Sequence, residues 1–563
     1  MRRFLISILL LSAAAGCEAN GPADAEIGLA EGVTAEDLAG RVAQFEPAVL
    51  DFDDTVLEPW EKTVIVKLVG ASDLMHELFA EQVSAENEAW GEELAGLSGP
   101  GADAARAYFE IMVGPWDRLQ HDEPFLAVGA KPAGAGYYPA DLTKEEFDAW
   151  VAAYPADKEA FTGYFTVIRR EGSELRAVPY SEFHRAKLEQ AAGLLREAAA
   201  AAQNATLAEF LRKRADAFLS NDYYESDVAW MDIADSRIEP TIGPYEVYED
   251  GLFGYKAAFE SFLTVADAAA SAELQRLKDY LPDLERQLPI EDRFKNPDRG
   301  FESPIRVVDE VYAGGDTRAG VQTTAFNLPN DARVVEEKGS KKVMLRNVSR
   351  AKFDKILTPI GRTLLAEELA AQVAFQPWFT NVVMHELAHG LGPTTVTTPA
   401  GERMQVNRAL RDHYSALEEL KADVTGLHNL TVLSGQGVFD DTFLRAAFAG
   451  HLADLFRAVR FGASEAHGKA NLIQYNWLRE KNVLQPAGAT WTADLGAVMT
   501  AIRELATEVL TIEATGDYER AAAFVARYGS VGAELQSALG RLNGLPVDIR
   551  PVYAVREKLA GWN

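Results

Sequence analysis

The sequence predicts a mainly helical α+β protein divided into two or more lobes. The chain has 563 residues, and chains longer than roughly 250–300 residues divide into more than one hydrophobic core. Most of the sequence has the apolar spacing of helices, with a few short strand-like segments among them. These segments do not alternate regularly with helices, which favours α+β over a doubly wound parallel sheet.

The first residues are typical of an export signal. Arg2 and Arg3 precede an apolar run over residues 4–11, and small residues lead to Cys17. Ala-Ala-Gly-Cys is similar to a bacterial lipobox, in which the cysteine becomes the lipidated first residue of the mature protein. Ordinary secretory cleavage is the alternative. We expect a lipoprotein-type signal peptide over 1–17 and an exported protein, periplasmic or associated with the outer membrane of a bacterium.

The rest of the chain is not expected to enter a membrane or to bind nucleic acid. Residues 18–45 are rich in Ala, Gly and Glu, and we expect them to form a tether. No later run approaches the roughly 20 apolar residues of a membrane helix, so a lipid at Cys17 would be the only membrane anchor. The formal net charge of −30 argues against nucleic acid and anionic lipid as partners.

Helical and strand patterns can be placed along the middle of the chain. Residues 181–219 form the clearest long helical region, since they are rich in Ala, Leu and Glu. Residues 165–180 are predicted to form two strands joined by a turn at Gly172. Further strand candidates are 304–312 and a pair, 333–337 and 341–346, joined about Gly339.

Residues 379–389 carry the strongest functional signal. They end in His385-Glu386-Leu-Ala-His389, and residues four apart on a helix project from the same face. Two imidazoles at that spacing can bind one zinc ion, with Glu386 beside them as a general base. The alternative is an amphipathic helix with two incidental histidines, but the chain has only nine His.

A third ligand is expected because catalytic zinc takes three protein ligands and a water. The class with a further histidine six positions after His389 is disfavoured, since that position is Thr395. Downstream, Glu419 and Asp423 share one face of a predicted helix. One carboxylate would bind zinc while the other accepts the N–H of a ligand histidine. A solvated acidic face is the alternative.

These motifs together resemble a known family. His385-Glu-Leu-Ala-His389, followed by Glu418-Glu419-Leu-Lys-Ala-Asp423, is similar to the two signature motifs of the dipeptidyl peptidase III metallopeptidases. The resemblance implies one Zn²⁺ per chain, bound by His385, His389 and Glu419, with Glu418 and Asp423 behind these ligands. Many family members have an extra residue between the histidines, whereas this chain has the five-residue form of some bacterial relatives.

Three further stretches resemble the family in the same chain order. Glu246-Val-Tyr248 is similar to its Glu-x-Tyr segment, where the Glu holds the amino terminus of the substrate and the Tyr donates to the scissile carbonyl. Asn327-Leu-Pro-Asn330 is similar to its Asn-x-Pro-Asn loop, whose amides bind the peptide backbone. His467 lies in a helix similar to the one that carries a transition-state-stabilising His.

The resemblance also implies an architecture. The family has two lobes with a wide cleft, a helical lobe that carries the zinc and a lobe that contains a small β-barrel. We therefore expect a mixed lobe over 46–345, the zinc lobe over 346–535, and a C-terminal segment over 536–563 that returns to the first lobe.

The function implied is that of a zinc exopeptidase that releases dipeptides from the amino terminus of short peptides. Metal-activated water would attack the peptide bond, with Glu386 as its base. Two alternatives stay open. One is an endopeptidase or cell-wall peptide hydrolase that uses the same zinc. The other is a non-catalytic peptide-binding lipoprotein, against which the complete set of His385, Glu386, His389 and Glu419 argues.

Overall fold

The computed structural model describes residues 28–297, 305–397, 401, 403–460, 462 and 465–562. Up to residue 345 the elements alternate irregularly between helix and strand. They are α1 (Ala35–Val42), β1 (Phe45–Leu50), α2 (Pro59–Val83), α3 (Asn87–Gly96), α4 (Pro100–Met112), β2 (Trp116–Asp117), β3 (Glu123–Pro124), α5 (Lys144–Ala153), α6 (Lys158–Thr162), β4 (Thr166–Glu171), β5 (Glu174–Pro179), α7 (Tyr180–Phe183), α8 (Arg185–Ala201), α9 (Ala205–Ser220), α10 (Tyr224–Met231), β6 (Ile238–Glu246), β7 (Ala258–Ala266), α11 (Ala268–Lys278), α12 (Leu281–Arg286), β8 (Ile305–Gly315), β9 (Ala325–Leu328), α13 (Ala332–Lys338) and β10 (Lys341–Leu345).

From residue 346 the chain is mainly helical. Its elements are α14 (Arg346–Lys352), α15 (Thr358–Leu364), α16 (Glu367–Ala370), α17 (Phe375–Ala388), β11 (Thr395–Thr397), β12 (Arg403–Gln405), α18 (Val406–Leu410), α19 (Tyr414–Gly435), α20 (Asp441–Val459), α21 (Ala466–Glu480), β13 (Leu484–Ala487), β14 (Thr490–Ala493), α22 (Leu495–Thr515), α23 (Tyr518–Tyr528), α24 (Ala533–Gly540), β15 (Asp548–Tyr553) and α25 (Val555–Lys558). The expected α+β class, mainly helical, is confirmed.

The main sheet has five strands in the order β6-β7-β8-β10-β9. The pairs β6/β7, β7/β8 and β10/β9 are antiparallel, whereas β10/β8 is parallel. Phe326 of β9 stacks on Phe262 of β7 with ring centroids 4.2 Å apart, so the sheet is strongly curled. Its outer strands β6 and β9 do not pair within the described residues. The expected barrel is therefore wrong, because a four-residue β9 ends the sheet before it closes.

The hairpin expected over 165–180 is confirmed as β4 and β5, with Gly172 at φ +64° in the turn. The pair expected about Gly339 is wrong in its first half, because residues 332–338 form helix α13. Asp331 caps this helix by accepting from the main-chain N–H of Arg333, and Gly339 ends it. The antiparallel partner of β10 is instead β9.

The helices from α17 to α22 form the core of the helical part. Leucines of α19 are fully buried, and α17 buries Val383, Met384 and Leu387. Gly426 lets α19 approach α17 closely, since an added Cβ would lie 3.0 Å from the main-chain nitrogen of His385. This close approach brings the side chains of the two helices into one site.

The expected tether over 18–45 is wrong where the structure describes it, from residue 28 onward. Helix α1 buries Leu38, and β1 pairs in parallel with β15, residue 45 opposite 548. The expected signal peptide over 1–17 lies outside the described residues. Among the helices that the structure describes, none combines the length and apolar content needed to cross a bilayer. The proposed limits at 345 and 535 remain predictions.

Candidate metal centre

His385 and His389 occupy one face of the last turn of α17. Their Nε2 atoms lie 3.2 Å apart, and the two ring planes are perpendicular. Both rings are mostly buried, with side chains 12% and 26% exposed. The helical spacing therefore brings two imidazole nitrogens to one point, as expected from the sequence.

Glu419 of α19 completes a three-atom cluster. Its Oε2 lies 3.3 Å from Nε2 of His385 and 3.7 Å from Nε2 of His389. Ligand atoms about 2.0–2.2 Å from a tetrahedral metal ion lie roughly 3.3–3.6 Å from each other, which matches this spacing. Oε2 of Glu419 is buried and makes no hydrogen bond with the residues the structure describes. The two nitrogens and this oxygen therefore fit a bound metal ion.

Carboxylates behind the cluster orient both imidazoles. Nδ1 of His385 lies 2.7 Å from Oδ1 of Asp423, and Nδ1 of His389 lies 2.8 Å from Oε1 of Glu418. A carboxylate accepts, so each Nδ1 donates and each Nε2 presents its lone pair to the cluster. The structure thus distinguishes the two carboxylates that the spacing alone left open: Glu419 faces the cluster and Asp423 supports His385.

Charge within this network shifts several pKa values. In the metal-free protein, burial opposes the protonated form of His385, but its contacts with the carboxylates of Asp423 and Glu419 outweigh burial and hold the pKa of His385 well above its ordinary value. Burial alone would raise the pKa of Asp423, yet its contact with His385 lowers it to about 2. Burial of Glu418 is likewise outweighed by His389 and Lys421, which lower its pKa to about 2. The supporting carboxylates stay ionised at neutral pH.

Helix α21 supplies hydrogen bonds to Asp423 that were not predicted from the sequence. Gln474 donates through Nε2 to Oδ2 of Asp423 at 2.8 Å, and its Oε1 lies 2.9 Å from Nε2 of His451. Asn471 also donates to Oδ2 of Asp423, at 3.4 Å. Both residues follow His467 at helical spacing, four and seven positions later. That spacing was the signal available in the sequence.

His467 lies at the open side of the cluster, in the first turn of α21. Its Nδ1 is 3.2 Å from Oε2 of Glu419, while its side chain is 67% exposed. His385, Glu419 and His467 offer ligand atoms that all lie within 4.8 Å of one another. His467 is thus placed to contact either a metal ion or a molecule bound beside it.

Glu386 lies next to the cluster but points to a different partner. Its carboxylate Oε2 is 3.6 Å from Nζ of Lys342, and its side chain is 25% exposed. The ammonium group of Lys342 also donates to the main-chain oxygen of Glu386. Lys342 belongs to β10 of the main sheet and was not singled out from the sequence.

The expected peptide-binding residues lie at the ends of strands β6 and β9 of the main sheet or in the segments that follow them. Nδ2 of Asn330 donates to Oε1 of Glu246 at 3.3 Å and to the main-chain oxygen of Tyr245 at 3.1 Å. Burial raises the pKa of Glu246, although the hydrogen bond from Asn330 acts in the opposite direction. Tyr248 is 83% exposed, and the charge of Glu246 raises its pKa. Asn327 lies on the exposed edge of β9. The structure therefore brings Glu246 and Asn330 together and leaves Tyr248 in solvent.

A cavity of about 690 Å³ shares Glu246 and Asn330 as part of its wall. Of its fourteen other lining residues, five are aromatic and three are aspartates. The aromatic residues are Tyr164, Phe165, Tyr223, Tyr224 and Tyr245.

Metallopeptidases typically have a pair of histidines on one helix, a glutamate ligand from a second helix and a nearby carboxylate that does not bind the metal. The model of peptidase family M49 matches residues 126–411, a segment that includes both histidines. The chain belongs to this family, and it is a metallopeptidase.

Individual relatives cover nearly the whole chain. The structure of DPP III from Caldithrix abyssi superposes with a TM-score of 0.90 at 45% identity, over 92% of this chain and 99% of that one. Dipeptidyl-peptidase III from Corallococcus sp. strain EGB gives 0.80 at 41% identity, over 94% and 98%. A protein of Arabidopsis thaliana described as Nudix hydrolase 3 is 35% identical over 93% of this chain and 74% of its own length. The two-lobe dipeptidyl peptidase III fold is consistent with this structure.

Proposed function

We propose that this metallopeptidase binds one zinc ion and releases dipeptides from the amino terminus of short peptides. The observation that carries the proposal is the pairing of two sites: the His385, His389 and Glu419 cluster, and Glu246 bound to Asn330 on the sheet. The first suits hydrolysis and the second suits a charged amino terminus. Two structural relatives described as dipeptidyl peptidases III support the same conclusion.

Zinc is favoured over other metals by its ligands. Two imidazole nitrogens and one carboxylate oxygen form a set found in catalytic zinc sites, with a fourth position left for water or substrate. The chemistry that bound zinc supplies is Lewis-acid polarisation of the scissile carbonyl and a lower pKa of water. Asp423 and Glu418 keep the imidazole lone pairs directed at the point where the metal ion would bind.

The protein's own groups carry the proton and the developing charge. Glu386 accepts a proton from the attacking water and returns it to the leaving amine, since its carboxylate is close enough to His385 for its charge to raise the pKa of that residue. His467 and Tyr248 donate hydrogen bonds to the carbonyl oxygen as negative charge develops there. One such donor is typically worth about 3 kcal/mol. Tyr248 is exposed here, so we expect closure of the cleft to bring it to the substrate.

The dipeptide length would be set by two fixed points. Glu246 pairs with the ammonium group at the amino terminus, and the amides of Asn327 and Asn330 align the extended backbone. The scissile bond must lie at the metal, so the distance between the two sites measures two residues. The aromatic cavity beside Glu246 would then receive the side chain of the first residue and favour a bulky apolar one.

Product analysis tests this function. Zinc-loaded protein and the Glu386→Gln variant would be incubated with a free hexapeptide and with its N-acetylated form, and the fragments weighed by mass spectrometry. We expect dipeptides from the free peptide only, and none from the variant. Internal cleavage of both peptides at equal rates would favour the endopeptidase or cell-wall hydrolase. No cleavage by metal-loaded protein would favour a peptide-binding lipoprotein.

We also propose that the protein is exported and anchored by a lipid at Cys17. The support is the amino-terminal sequence: two arginines, an apolar run and a small-residue stretch that ends at this cysteine. Several acyl chains would be needed for stable attachment, because a single chain binds only marginally. Cys17→Ser should move the protein from the membrane fraction to the soluble one. Unchanged membrane association would exclude the lipid anchor.

A further inference from the structure

Lys342 connects the main sheet to the helix that carries the candidate base. It is the second residue of β10, directly opposite Asn327 of β9 in the antiparallel pair. Directly opposed residues project from the same face of a sheet. The face of the sheet that carries the side chain of Asn327 is therefore also the face from which the side chain of Lys342 extends.

Among the residues that the structure describes, the ammonium group of Lys342 makes two polar contacts, both with Glu386. It donates to the main-chain oxygen of Glu386, in the last turn of α17, and lies 3.6 Å from the carboxylate Oε2 of the same residue. The side chain of Lys342 is 17% exposed. Burial lowers the pKa of Lys342, and the charge of Glu386 acts in the opposite direction.

These contacts restrain the candidate base in two ways. The last carbonyls of a helix have no partner within the helix, so a cation there fixes the final turn. The same cation limits the rotamers of the Glu386 carboxylate, because a partly buried ion pair fixes the relative positions of its members. Reaction rates are sensitive to such placement, since a displacement of about 1 Å can cost roughly 100-fold.

We propose that Lys342 is a positioning residue for peptide hydrolysis. It holds the carboxylate of Glu386 and the end of α17 at a fixed place relative to Asn327, the strand-edge residue that would align the peptide. The inference rests on the proposed function, because it takes Glu386 as the base. It adds a residue that acts through Glu386 and that contacts none of the three metal ligands.

The test compares Lys342→Met, Lys342→Gln and Lys342→Arg in the full zinc-loaded chain. For Lys342→Met we expect one zinc per chain, an unchanged thermal midpoint, a KM within about twofold and a kcat lowered about 10- to 100-fold on a free hexapeptide. Lys342→Arg keeps a cation and should recover part of kcat. Lys342→Gln keeps a donor without charge, and provides a second variant if the methionine protein does not fold.

Hydrogen exchange of the metal-free protein gives a readout independent of turnover. Amides over 385–390 should exchange faster in Lys342→Met than in the unsubstituted protein, and Lys342→Arg should restore protection. Lys355→Met is the matched control. It also removes one cation, which is 45% exposed and pairs with Glu46 of β1 at 3.2 Å.

The outcomes separate this inference from the proposed function. An unchanged kcat in Lys342→Met, or a fall in kcat explained entirely by lost zinc or a lower thermal midpoint, would overturn the positioning role. If the unsubstituted enzyme releases no dipeptides, or if Glu386→Gln stays active, the proposed function fails instead. Equal losses in Lys342→Met and Lys355→Met would show a general charge effect and would also overturn the proposal.

Discussion

On the helical side of the site, a carboxylate supports each of the two paired histidines: Asp423 lies 2.7 Å from His385 and Glu418 lies 2.8 Å from His389, and Gln474 donates to Asp423 in turn. On the sheet side, one hydrogen bond joins Asn330 to Glu246, and Tyr248 is 83% exposed. The candidate metal ligands are thus supported by neighbouring side chains, whereas the candidate peptide-binding residues have fewer such contacts.

This difference has a physical reason. A metal site must hold its donors within a few tenths of an ångström, so its ligands come from packed helices with supporting hydrogen bonds. A cleft that admits peptides must instead open, and groups that act only on bound substrate can stay in solvent until it closes. Substitutions on the two sides should therefore fail in different ways, the first in metal binding or chemistry and the second in substrate binding.

The largest effect is expected from the base itself. Glu386→Gln should lower kcat by about 10²- to 10⁴-fold, because the proton of the attacking water then has no acceptor. Zinc should stay bound, since Glu386 is not among the three ligand residues. Glu419→Ala is the paired variant and should lose zinc. Metal analysis and steady-state rates check both, and zinc loss in Glu386→Gln with retention in Glu419→Ala would reverse the two assignments.

The next effect concerns the amino terminus of the substrate. Glu246→Gln should reduce kcat/KM by roughly 10- to 150-fold on free peptides, because a charge-assisted hydrogen bond is worth about 1.5–3 kcal/mol. N-acetylation of the substrate should cost the unsubstituted enzyme a similar factor and cost the variant little more. Zinc content serves as the control and should not change. Equal sensitivity of both enzymes to acetylation would show that Glu246 does not bind the ammonium group.

A smaller effect is expected from the residues that support the candidate metal ligands. Asp423→Asn should weaken zinc binding about 10- to 100-fold, since an amide supports the Nδ1–H of His385 less well than a carboxylate. Gln474→Ala removes only the support of Asp423 and should lower affinity less. Competition with a chelator measures both. Unchanged affinity in Asp423→Asn would mean that the ligands are fixed without it.

The smallest effect is expected from pH alone. Burial raises the pKa of Glu246 above its ordinary value, and only the ionised carboxylate attracts an ammonium group. KM should rise as the pH falls through this raised pKa. The rise should therefore begin at a higher pH than it would for a glutamate with an ordinary pKa. The Glu246→Gln variant should lack this rise. An identical KM profile for both proteins would assign the titration to another group.

The chemistry of the site was more predictable from the sequence than its surroundings. His385 and His389 lie on one helix, so their spacing alone fixed their common direction. Lys342 could not be found this way, because its partner Glu386 lies on a different element and only the packing of sheet against helix joins them. On spacing alone Glu419 and Asp423 were equivalent, and before the approach of α19 to α17 was known only the family resemblance told them apart.

The predicted fold was wrong in three places, each of which had a separate cause. Residues 333–337 contain Val334 and Val335, which favour a strand, but the Asp331 cap and the stop at Gly339 define one short helix. The expectation of a barrel came from the family resemblance, whereas the described strands form an open, curled sheet. The prediction of a tether over 18–45 came from composition alone, and composition does not show that Leu38 is buried.

The parallel pair of β1 and β15 sets a condition on how the protein is made. Residue 45 pairs with residue 548, so the first strand emerges from the ribosome long before its partner exists. At about 5–20 residues per second, the wait for roughly 500 residues lasts on the order of 25–100 s. During this time the hydrogen-bonding edge of β1 has no partner strand. The native pairing of the amino-terminal strand is thus delayed until synthesis is almost complete.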